Sequence, residues 1–537
     1  MFDKGNERLY QELEKFIITR LRPLKCFNSL NEDIEKEYEY EKVQNKLKGK
    51  YCLWKSSIDI VYFPQLTNHE ICHEMFWNAY KGRSRMYIQL PNLTSEISTK
   101  WVDEEDTITL SCSLLTLQML DYDIMMFRAM EDQEDQEYRD AATNYYRPYL
   151  FNFVAEIDQK KYKELQKLQI EKYGTTSENI RPDERNVWLE CTFIPTTKSL
   201  VDLNGYVVQS ASSINKIKAH LSIIEDHGTS LKVKKAILDN YVLKNAYKQD
   251  DEFIKELRCE LNDCLSSIYV YRIGNGNCVY AENKKKDLSF FFDIGFNHRH
   301  RPKWLSPTST YNYSSAMKKI LSNNPSFFIL SHWDLDHIAG SFAARKDFLN
   351  KKWFAPDCLD ACTDATRLAK YLDMKGNLFC VTRNTGRMIG EININKKATY
   401  KLFIGEKASC DSSYPNCEGI FIKYKDADNT VMMMGDVNYA SFNKAINNYN
   451  ASCTTNPELP FAETPIDYLI VPHHGSKHTA YNLIIDNKPI IKGTEAIICC
   501  KNEKDRPYDP HKDELKKRFK VSTTEDAKAK NYIEILL

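Results

Sequence analysis

The sequence predicts an α/β protein of two domains. At 537 residues the chain is longer than one ordinary domain. Its second half repeats one arrangement, in which short apolar segments rich in β-branched and aromatic residues end in aspartate or histidine. Its first half mixes helical and strand patterns. We therefore expect a mixed α/β or α+β domain over residues 1–262 and a second, α/β domain over residues 263–537.

The composition restricts the classes of partner. Lysine and arginine total 74, as do aspartate and glutamate, so any site for a polyanion must be local. No apolar run reaches the roughly 18 residues of a membrane helix, and the first ten residues lack the basic-then-apolar order of a signal peptide. The sixteen cysteines form no pair of C-x-x-C motifs. These features predict a cytoplasmic protein with reduced thiols and no membrane partner.

The first 262 residues carry signals for both helices and strands. Helices are predicted in residues 5–24, in most of residues 128–172 with a break at Pro148, in residues 218–228 and in residues 233–247. Strands are predicted in residues 51–64, 187–194 and 205–211. Because the catalytic pattern described below is complete without this domain, we expect it to contact a regulatory protein partner or to select substrates.

A short motif in the first domain resembles a zinc-protease helix. His69, Glu70 and His73 spell H-E-I-C-H, which can place two histidines on one helical face. However, Thr67 and Glu70 form a capping box, so His69 would lie in the first helical turn instead of the middle of a helix. No third ligand follows at a recognised spacing. We interpret the motif as the start of a helix.

The central motif of the chain is SHWDLDHIAG, residues 331–340, which follows the apolar run FFIL. It contains His332, Asp334, Asp336 and His337, four residues of the types that bind metal ions. His332 and Asp334 are two residues apart and can point to the same side, whereas Asp336 and His337 lie on the following turn and can reach a second ion. The spacing therefore predicts a strand that ends in a loop of metal ligands.

Two later strands are predicted to end in similar residues. A hairpin with its turn at residues 426–429 leads to Asp436, which follows Gly435. The apolar segment IDYLIVP then ends at His473 and His474. Each piece alone is a weak signal, but together they predict one metal centre at the ends of several strands.

The second domain closely resembles the metallo-β-lactamase superfamily in residues 266–537. The 331–340 motif matches the superfamily pattern H-x-H-x-D-H, with Asp334 in the place of the second histidine. The D-L-D-H and H-H-G-S sequences are most similar to the hydrolase, or nuclease, domain of ComEC-type competence DNA-uptake proteins. The resemblance implies an αββα sandwich for this domain.

The resemblance also implies two divalent metal ions, Mn²⁺ or Zn²⁺. One ion would be bound by His332, Asp334 and a shared Asp436, and the first site would be rich in oxygen because only residues 416–419 offer a further ligand. The second ion would be bound by Asp336, His337, Asp436 and either His473 or His474. The residues expected to act directly in catalysis are Asp336, Asp436 and His474.

Three further residues are expected to support the ligands. Asp293 occupies the D-x-G position of the family, so it would orient a ligand histidine or, equally, serve only as a strand-terminal turn aspartate. Asp509 and His511 flank Pro510 in the closing loop, where the family has a histidine before proline. Arg299 and Lys477 are predicted to bind substrate phosphates.

Three functions are compatible with these residues. The first is a metal-dependent phosphodiesterase or nuclease acting on nucleic acid or a nucleotide, a hypothesis that the ComEC-type resemblance favours; an added sensing domain would suit a stress or antiviral defence system. The second is a hydrolase of a small carboxylic ester, lactone or thioester. The third is a regulatory binding protein with a degenerate metal site.

Overall fold

The computed structural model describes most of the chain from residue 86 onward. The described residues are 86–90, 93, 108–131, 148, 151–173, 187–209, 216–225, 229–296, 314–343, 346–358, 363–383, 385–406, 415–453, 457–461, 463–476, 493–500, 507–527 and 529–537. They form two compact units that separate between Val242 and Leu243. Both units combine helices and sheets, so the mixed α/β class is confirmed. No helix of the described residues is both long and apolar enough to cross a membrane.

Several predictions for the first domain lie outside these residues. They are the helix at residues 5–24, the strand at residues 51–64 and the H-E-I-C-H motif of His69, Glu70 and His73.

The described part of the first unit contains a closed barrel of six strands, all paired antiparallel, in the order β1-β2-β3-β5-β6-β4. The strands are β1 Met86–Leu90, β2 Ile108–Thr116, β3 Phe151–Ile157, β4 Val187–Thr192, β5 Ser199–Gln209 and β6 Lys216–Ile224. Its described helices are Leu117–Glu131, Gln159–Tyr173 and Thr229–Asn240.

One helix prediction in this unit is wrong, and a second is confirmed only in part. The segment at residues 218–228 contributes to β6, where Ala219, Leu221 and Ile223 are buried at alternate positions and pair with β5. That period of two is the signal of a strand. Residues 128–172 are interrupted by β3, which is hydrogen-bonded between β2 and β5. The segment of β3 is apolar and aromatic, which suits a strand with partners on both sides, whereas the charged residues that follow are helical as predicted.

The second unit contains two sheets of seven strands each. The first sheet has the order β12-β11-β10-β9-β8-β7-β20 and the second β13-β14-β15-β16-β17-β18-β19. The strands of the first sheet are β7 Ser267–Tyr271, β8 Cys278–Glu282, β9 Ser289–Ile294, β10 Phe327–Ile329, β11 Lys352–Pro356, β12 Leu378–Val381 and β20 Tyr532–Leu536. The strands of the second are β13 Arg387–Ile394, β14 Ala398–Ile404, β15 Ile420–Lys425, β16 Thr430–Met433, β17 Tyr468–Ile470, β18 Glu495–Ile498 and β19 Lys520–Thr523.

Helices and short 3₁₀ turns connect these strands. The described helices are Asp250–Glu260, Ser314–Ser322, Leu335–Ala343, Lys346–Leu349, Thr363–Met374, Tyr439–Ser452 and Asp509–Lys516. The 3₁₀ turns are Pro415–Glu418, Pro472–Gly475 and Thr524–Ala527.

One apolar core joins the two sheets of this unit. It includes Phe290 and Phe327 of the first sheet, whose rings stack with centroids 5.1 Å apart, and Ile422 and Met433 of the second. Helix Asp250–Glu260 inserts Phe253, Ile254 and Leu257 into the same core. The second unit therefore begins at Leu243, before the boundary at residues 262/263 that the sequence suggested.

The sheet order positions the candidate site. Strands β9 and β10 are parallel neighbours, and so are β16, β17 and β18. Because parallel strands end at the same edge of a sheet, the residues that follow them are brought together. The residues that follow include all of the predicted metal ligands.

The buried ion pair between Arg272 and Glu525 provides a test of this fold. The Arg272 Nη2 and Nε atoms donate to Glu525 Oε2 at 2.9 and 3.1 Å, and both residues are buried. Glu525→Ala would leave a buried guanidinium without its carboxylate, so we expect the free energy of unfolding in urea to fall by about 3–5 kcal/mol. Asp513→Ala, which removes an exposed partner of Lys516, should leave the unfolding midpoint near that of the wild type. Equal midpoints for the two variants would contradict this assignment.

Candidate metal centre

The structure brings together the seven residues that the sequence predicted as metal ligands. They are His332, Asp334, Asp336, His337, Asp436, His473 and His474. Six of them are buried, and Asp334 is partly exposed. Among the described residues, two groups have donor atoms that all lie within 4.8 Å of one another: His332 with His337 and Asp436, and Asp336 with His337 and His474.

The carboxylate of Asp436 lies at the middle of the cluster. Its Oδ1 atom is 3.1 Å from His337 Nε2 and 4.0 Å from His474 Nε2. Its Oδ2 atom is 3.8 Å from His332 Nε2 and 3.8 Å from His473 Nε2. Two ligands that are each about 2.1 Å from one ion lie about 3 to 3.5 Å apart. The observed separations are close to that spacing, which fits a carboxylate shared between two ions.

Three of the histidines are held by their Nδ1 atoms. His337 Nδ1 donates to Asp293 Oδ2 at 2.7 Å, and His474 Nδ1 donates to the carbonyl oxygen of Cys499 at 2.9 Å. His332 Nδ1 lies 3.0 Å from Ser331 Oγ, whose own proton is donated to Asp293. With Nδ1 protonated, each ring directs an Nε2 lone pair toward the cluster, which is the usual arrangement of metal-binding histidines.

The Nε2 atoms of these three histidines are buried and have no hydrogen-bond partner. Burying a polar atom without a partner costs free energy, and native proteins rarely tolerate several such atoms in one place. The short distance between His337 Nε2 and Asp436 Oδ1 lacks the alignment of a hydrogen bond. Bound cations that accept these three lone pairs would satisfy the atoms, so the donor set fits divalent metal ions.

Asp293 anchors the first sheet's part of the centre. Its Oδ2 atom accepts hydrogen bonds from His337 Nδ1, Ser331 Oγ and Asn277 Nδ2 at 2.7 to 2.8 Å, and its Oδ1 accepts from the Ser331 backbone N–H at 2.6 Å. The carboxylate is fully buried. Its contacts orient the ring of His337, a candidate ligand, which is one of the two roles that the sequence left open for Asp293.

Close backbone approach at two glycines permits this arrangement. A Cβ at Gly295 would lie 1.8 Å from the carbonyl oxygen of Asp336, so the β9 end can touch the ligand loop only without a side chain there. Gly435 has a φ of +56°, and a Cβ on it would lie 2.3 Å from the Cβ of Ser331. Gly295 therefore lets two segments of the first sheet approach each other, and Gly435 lets a segment of the second sheet approach the first.

The charges of the cluster shift the pKa values of two of its members. Burial alone would lower the pKa of His337, but the carboxylates of Asp436 and Asp293 raise it well above its usual value. Burial would raise the pKa of Asp436, but the charges of His473 and His337 hold it well below the usual value. The negative charges of Asp436 and Asp293 would likewise favour a cation bound at the Nε2 atom of His337 over a proton at that atom.

Of the four remaining predicted site residues, one is buried, one is exposed and two are not described by the structure. His511 is buried, lies 3.1 Å from the hydroxyl of Tyr439 and 3.3 Å from the carbonyl oxygen of Ser476, and burial lowers its pKa to about 4. It therefore stays neutral and supports the loop after His474. Asp509 is exposed at the start of helix Asp509–Lys516. Arg299 and Lys477 lie outside the described residues.

The 416–419 segment, considered as a further source of a ligand, does not supply one to either of the two groups found among the described residues. Cys417 there accepts a hydrogen bond from Asn438 Nδ2. Three supporting groups were missed by the sequence reasoning: Ser331, Asn277 and the carbonyl of Cys499. The signal that could have found Ser331 is its position: it is a small polar residue directly before His332, two residues after β10 ends.

Comparison with known proteins shows no close relative. No family profile and no curated protein matches the chain. A mutant of the β-hydroxylase CmlA has 10% sequence identity over 84% of this chain and 99% of its own, with a TM-score of 0.27. The diiron β-hydroxylase CmlA from Streptomyces venezuelae has 10% identity over 84% of this chain and 100% of its own, with a TM-score of 0.26.

A protein of unknown function from Enterococcus faecalis has 12% identity over 39% of this chain and 50% of its own, with a TM-score of 0.21. These low scores carry no argument about fold or function.

The contacts of Asp293 predict a loss of metal affinity on substitution. Asp293→Asn keeps the size of the side chain but removes the charge that holds the Nδ1 proton of His337, so we expect the affinity for Mn²⁺ to fall about 10–100-fold. Metal titration followed by calorimetry checks this. Asp426→Asn, at the turn between β15 and β16, is the matched control. If both variants bind metal like the wild type, Asp293 is only a turn aspartate.

Proposed function

We propose that this protein is a metal-dependent hydrolase, and that it acts as a phosphodiesterase or nuclease with two divalent cations. The observation that carries the proposal is the set of three buried Nε2 atoms that face the Asp436 carboxylate while their Nδ1 atoms are held by the protein. Such an arrangement serves no evident purpose in packing and suits a cation well.

The architecture of the second unit supports a metallo-β-lactamase-type αββα domain. Residues of its two sheets share one core, and helix Tyr439–Ser452 packs Phe442 against Phe421 on the other face of the second sheet. The ligand residues follow parallel strands of both sheets, in the chain order of the superfamily motif. The motif resemblance and the strand order are independent arguments for the same domain type.

The residues of this chain would have distinct roles at the two cations. Two bound cations would supply Lewis-acid activation of a water and neutralise developing negative charge. Asp436 would hold both cations through its two oxygens, while Asp336 and His474 would hold the one on the Oδ1 side with His337. Asp293 and the Cys499 carbonyl fix the rings of His337 and His474, so that their geometry is set before substrate binds.

A phosphodiester substrate is supported by the chemistry of the donors and by the motif. Asp334, Asp336 and Asp436 make the cluster rich in hard carboxylate oxygens, which suit the cations that phosphoryl-transfer enzymes use. The D-L-D-H and H-H-G-S sequences resemble the nuclease domain of ComEC-type proteins. Nucleic acid or a nucleotide is therefore the proposed substrate.

The donor set predicts which metal supports turnover. Because three carboxylates take part, we expect higher activity with Mn²⁺ than with Zn²⁺. Metal-stripped protein reconstituted with each ion and assayed on a small phosphodiester checks this, with Asp436→Ala as the inactive control. The highest turnover with Zn²⁺ and no turnover with Mn²⁺ would contradict this prediction.

The substrate class predicts a dependence on salt. Phosphates beside the scissile bond need cationic partners, for which the sequence suggests Arg299 and Lys477. Changing both to glutamine should weaken cleavage of single-stranded DNA or RNA and flatten the plot of log kcat/KM against log salt by about 1.4 units of slope. The small phosphodiester should be affected far less. If no phosphodiester is cleaved at any salt concentration while a lactone or thioester is, the nuclease proposal falls.

A further inference from the structure

The side chain of Asn277, in the loop between β7 and β8, joins the two sheets of the second unit. Its Nδ2 atom donates to Asp293 Oδ2 at 2.8 Å, and its Oδ1 atom accepts from Cys499 Sγ at 3.4 Å. Asp293 belongs to β9 of the first sheet, whereas Cys499 directly follows β18 of the second. Asn277 itself is buried. One buried carboxamide therefore bridges the sheets.

The chemistry of its two neighbours fixes the orientation of this carboxamide. A carboxylate can only accept hydrogen bonds, so the nitrogen of the Asn277 amide must face Asp293. The amide oxygen then faces Cys499, whose thiol can donate to it. An aliphatic side chain of similar size would lose both bonds, but it would leave the main-chain bonds of residue 277 in place.

The contacts of Asn277 reach the supports of every member of one donor group. This group consists of Asp336, His337 and His474. Asp293 accepts from the Nδ1 atom of His337, and the carbonyl oxygen of Cys499 accepts from the Nδ1 atom of His474. The main-chain N–H of Asn277 donates to the carbonyl oxygen of Asp336 at 3.1 Å. The positions of all three donors are thus linked through one residue.

The other donor group, which consists of His332, His337 and Asp436, depends less on this side chain. Without Asn277, Asp293 still accepts from the Ser331 main chain, the Ser331 hydroxyl and His337. Ser331 Oγ also remains 3.0 Å from His332 Nδ1. The loss of the Asn277 side chain should therefore act mainly where a donor from the second sheet must meet two from the first.

We infer that Asn277 is a positioning residue that aligns Asp336, His337 and His474 for the cation on the Oδ1 side of Asp436. This rests on the proposed two-cation site. Asp336 and His337 follow the first sheet and His474 follows the second, so their mutual geometry depends on ties between the sheets. A buried bridge sets that geometry before a cation binds. Asn277 thereby controls whether the centre holds one cation or two.

The test counts bound Mn²⁺ in full-length, metal-free protein without substrate, by equilibrium dialysis with elemental analysis and by electron paramagnetic resonance. The wild type should bind two ions and show a spin-coupled signal. Asn277→Leu should keep one ion, bind the other at least about 10-fold more weakly and show the signal of isolated Mn²⁺. Asn283→Leu is the matched control, because Asn283 is also buried and donates to Asp263 at 2.8 Å beyond the other end of β8. It should bind both ions like the wild type.

Variants of Cys499 test the bridge from the second sheet and decide the matter if Asn277→Leu folds poorly. Cys499→Ala removes the thiol but keeps the carbonyl that holds His474, and it should weaken the same ion. Cys499→Ser keeps a donor for Asn277 and should restore wild-type binding. Because the two side chains act through one contact, the losses in the Asn277→Leu, Cys499→Ala double variant should be less than additive.

Two ions bound with wild-type affinity by Asn277→Leu and by Cys499→Ala would overturn the inference. So would an equal loss in Asn283→Leu, or fewer than two ions in the wild type. The readout is independent of the proposed reaction. If Asn277→Leu loses one ion but the wild type cleaves no phosphodiester, the role of Asn277 stands and the nuclease proposal falls. If the wild type cleaves phosphodiesters and these variants retain both ions, only the role of Asn277 falls.

Discussion

The hydrogen bonds to the buried carboxylate of Asp293 are the interaction on which the centre depends. This one side chain joins the end of β9 to the loop after β10, because it accepts from the Ser331 main chain, the Ser331 hydroxyl and His337. A buried carboxylate is costly unless it is well satisfied, and the fourth bond, from Asn277, completes it. Through Ser331 it also fixes the ring of His332. Two candidate ligand histidines, His332 and His337, are therefore oriented by one charge.

The second sheet contributes the remaining residues of the site, which are held in place by the main chain. Its ligands follow the parallel strands β16 and β17, and the carbonyl of Cys499 after β18 fixes His474. The two halves meet where Gly435 approaches Ser331. Within the first half, Gly295 after β9 approaches Asp336 after β10. Since neither contact leaves room for a Cβ, the spacing of the three carboxylates and four imidazoles depends on the backbone packing at these glycines. This rigidity would keep a two-cation site ready before substrate binds.

Much of the second unit could be predicted because its signals are local. The apolar runs before residues 331 and 472 are short and end in charged or polar residues, so β10 and β17 follow from the pattern alone. The support of His474 could not be predicted, because a backbone carbonyl has no sequence signal and its position depends on the pairing of β17 with β18. The left-handed backbone of His473 and His474 could not be predicted either, because the residue types alone do not reveal it. In the first unit, Lys218, His220 and Ser222 of β6 alternate with apolar residues, so the period of two was present in the sequence and the helix prediction overlooked it.

The most direct test of a two-cation centre around Asp436 is anomalous diffraction from crystals of the full-length protein grown with Mn²⁺. We expect two anomalous peaks, one beside each carboxylate oxygen of Asp436, with the Nε2 atoms of His332, His337 and His474 as ligands. A single peak or none within about 2.5 Å of these atoms, at a Mn²⁺ concentration that saturates the protein in solution, would contradict the account.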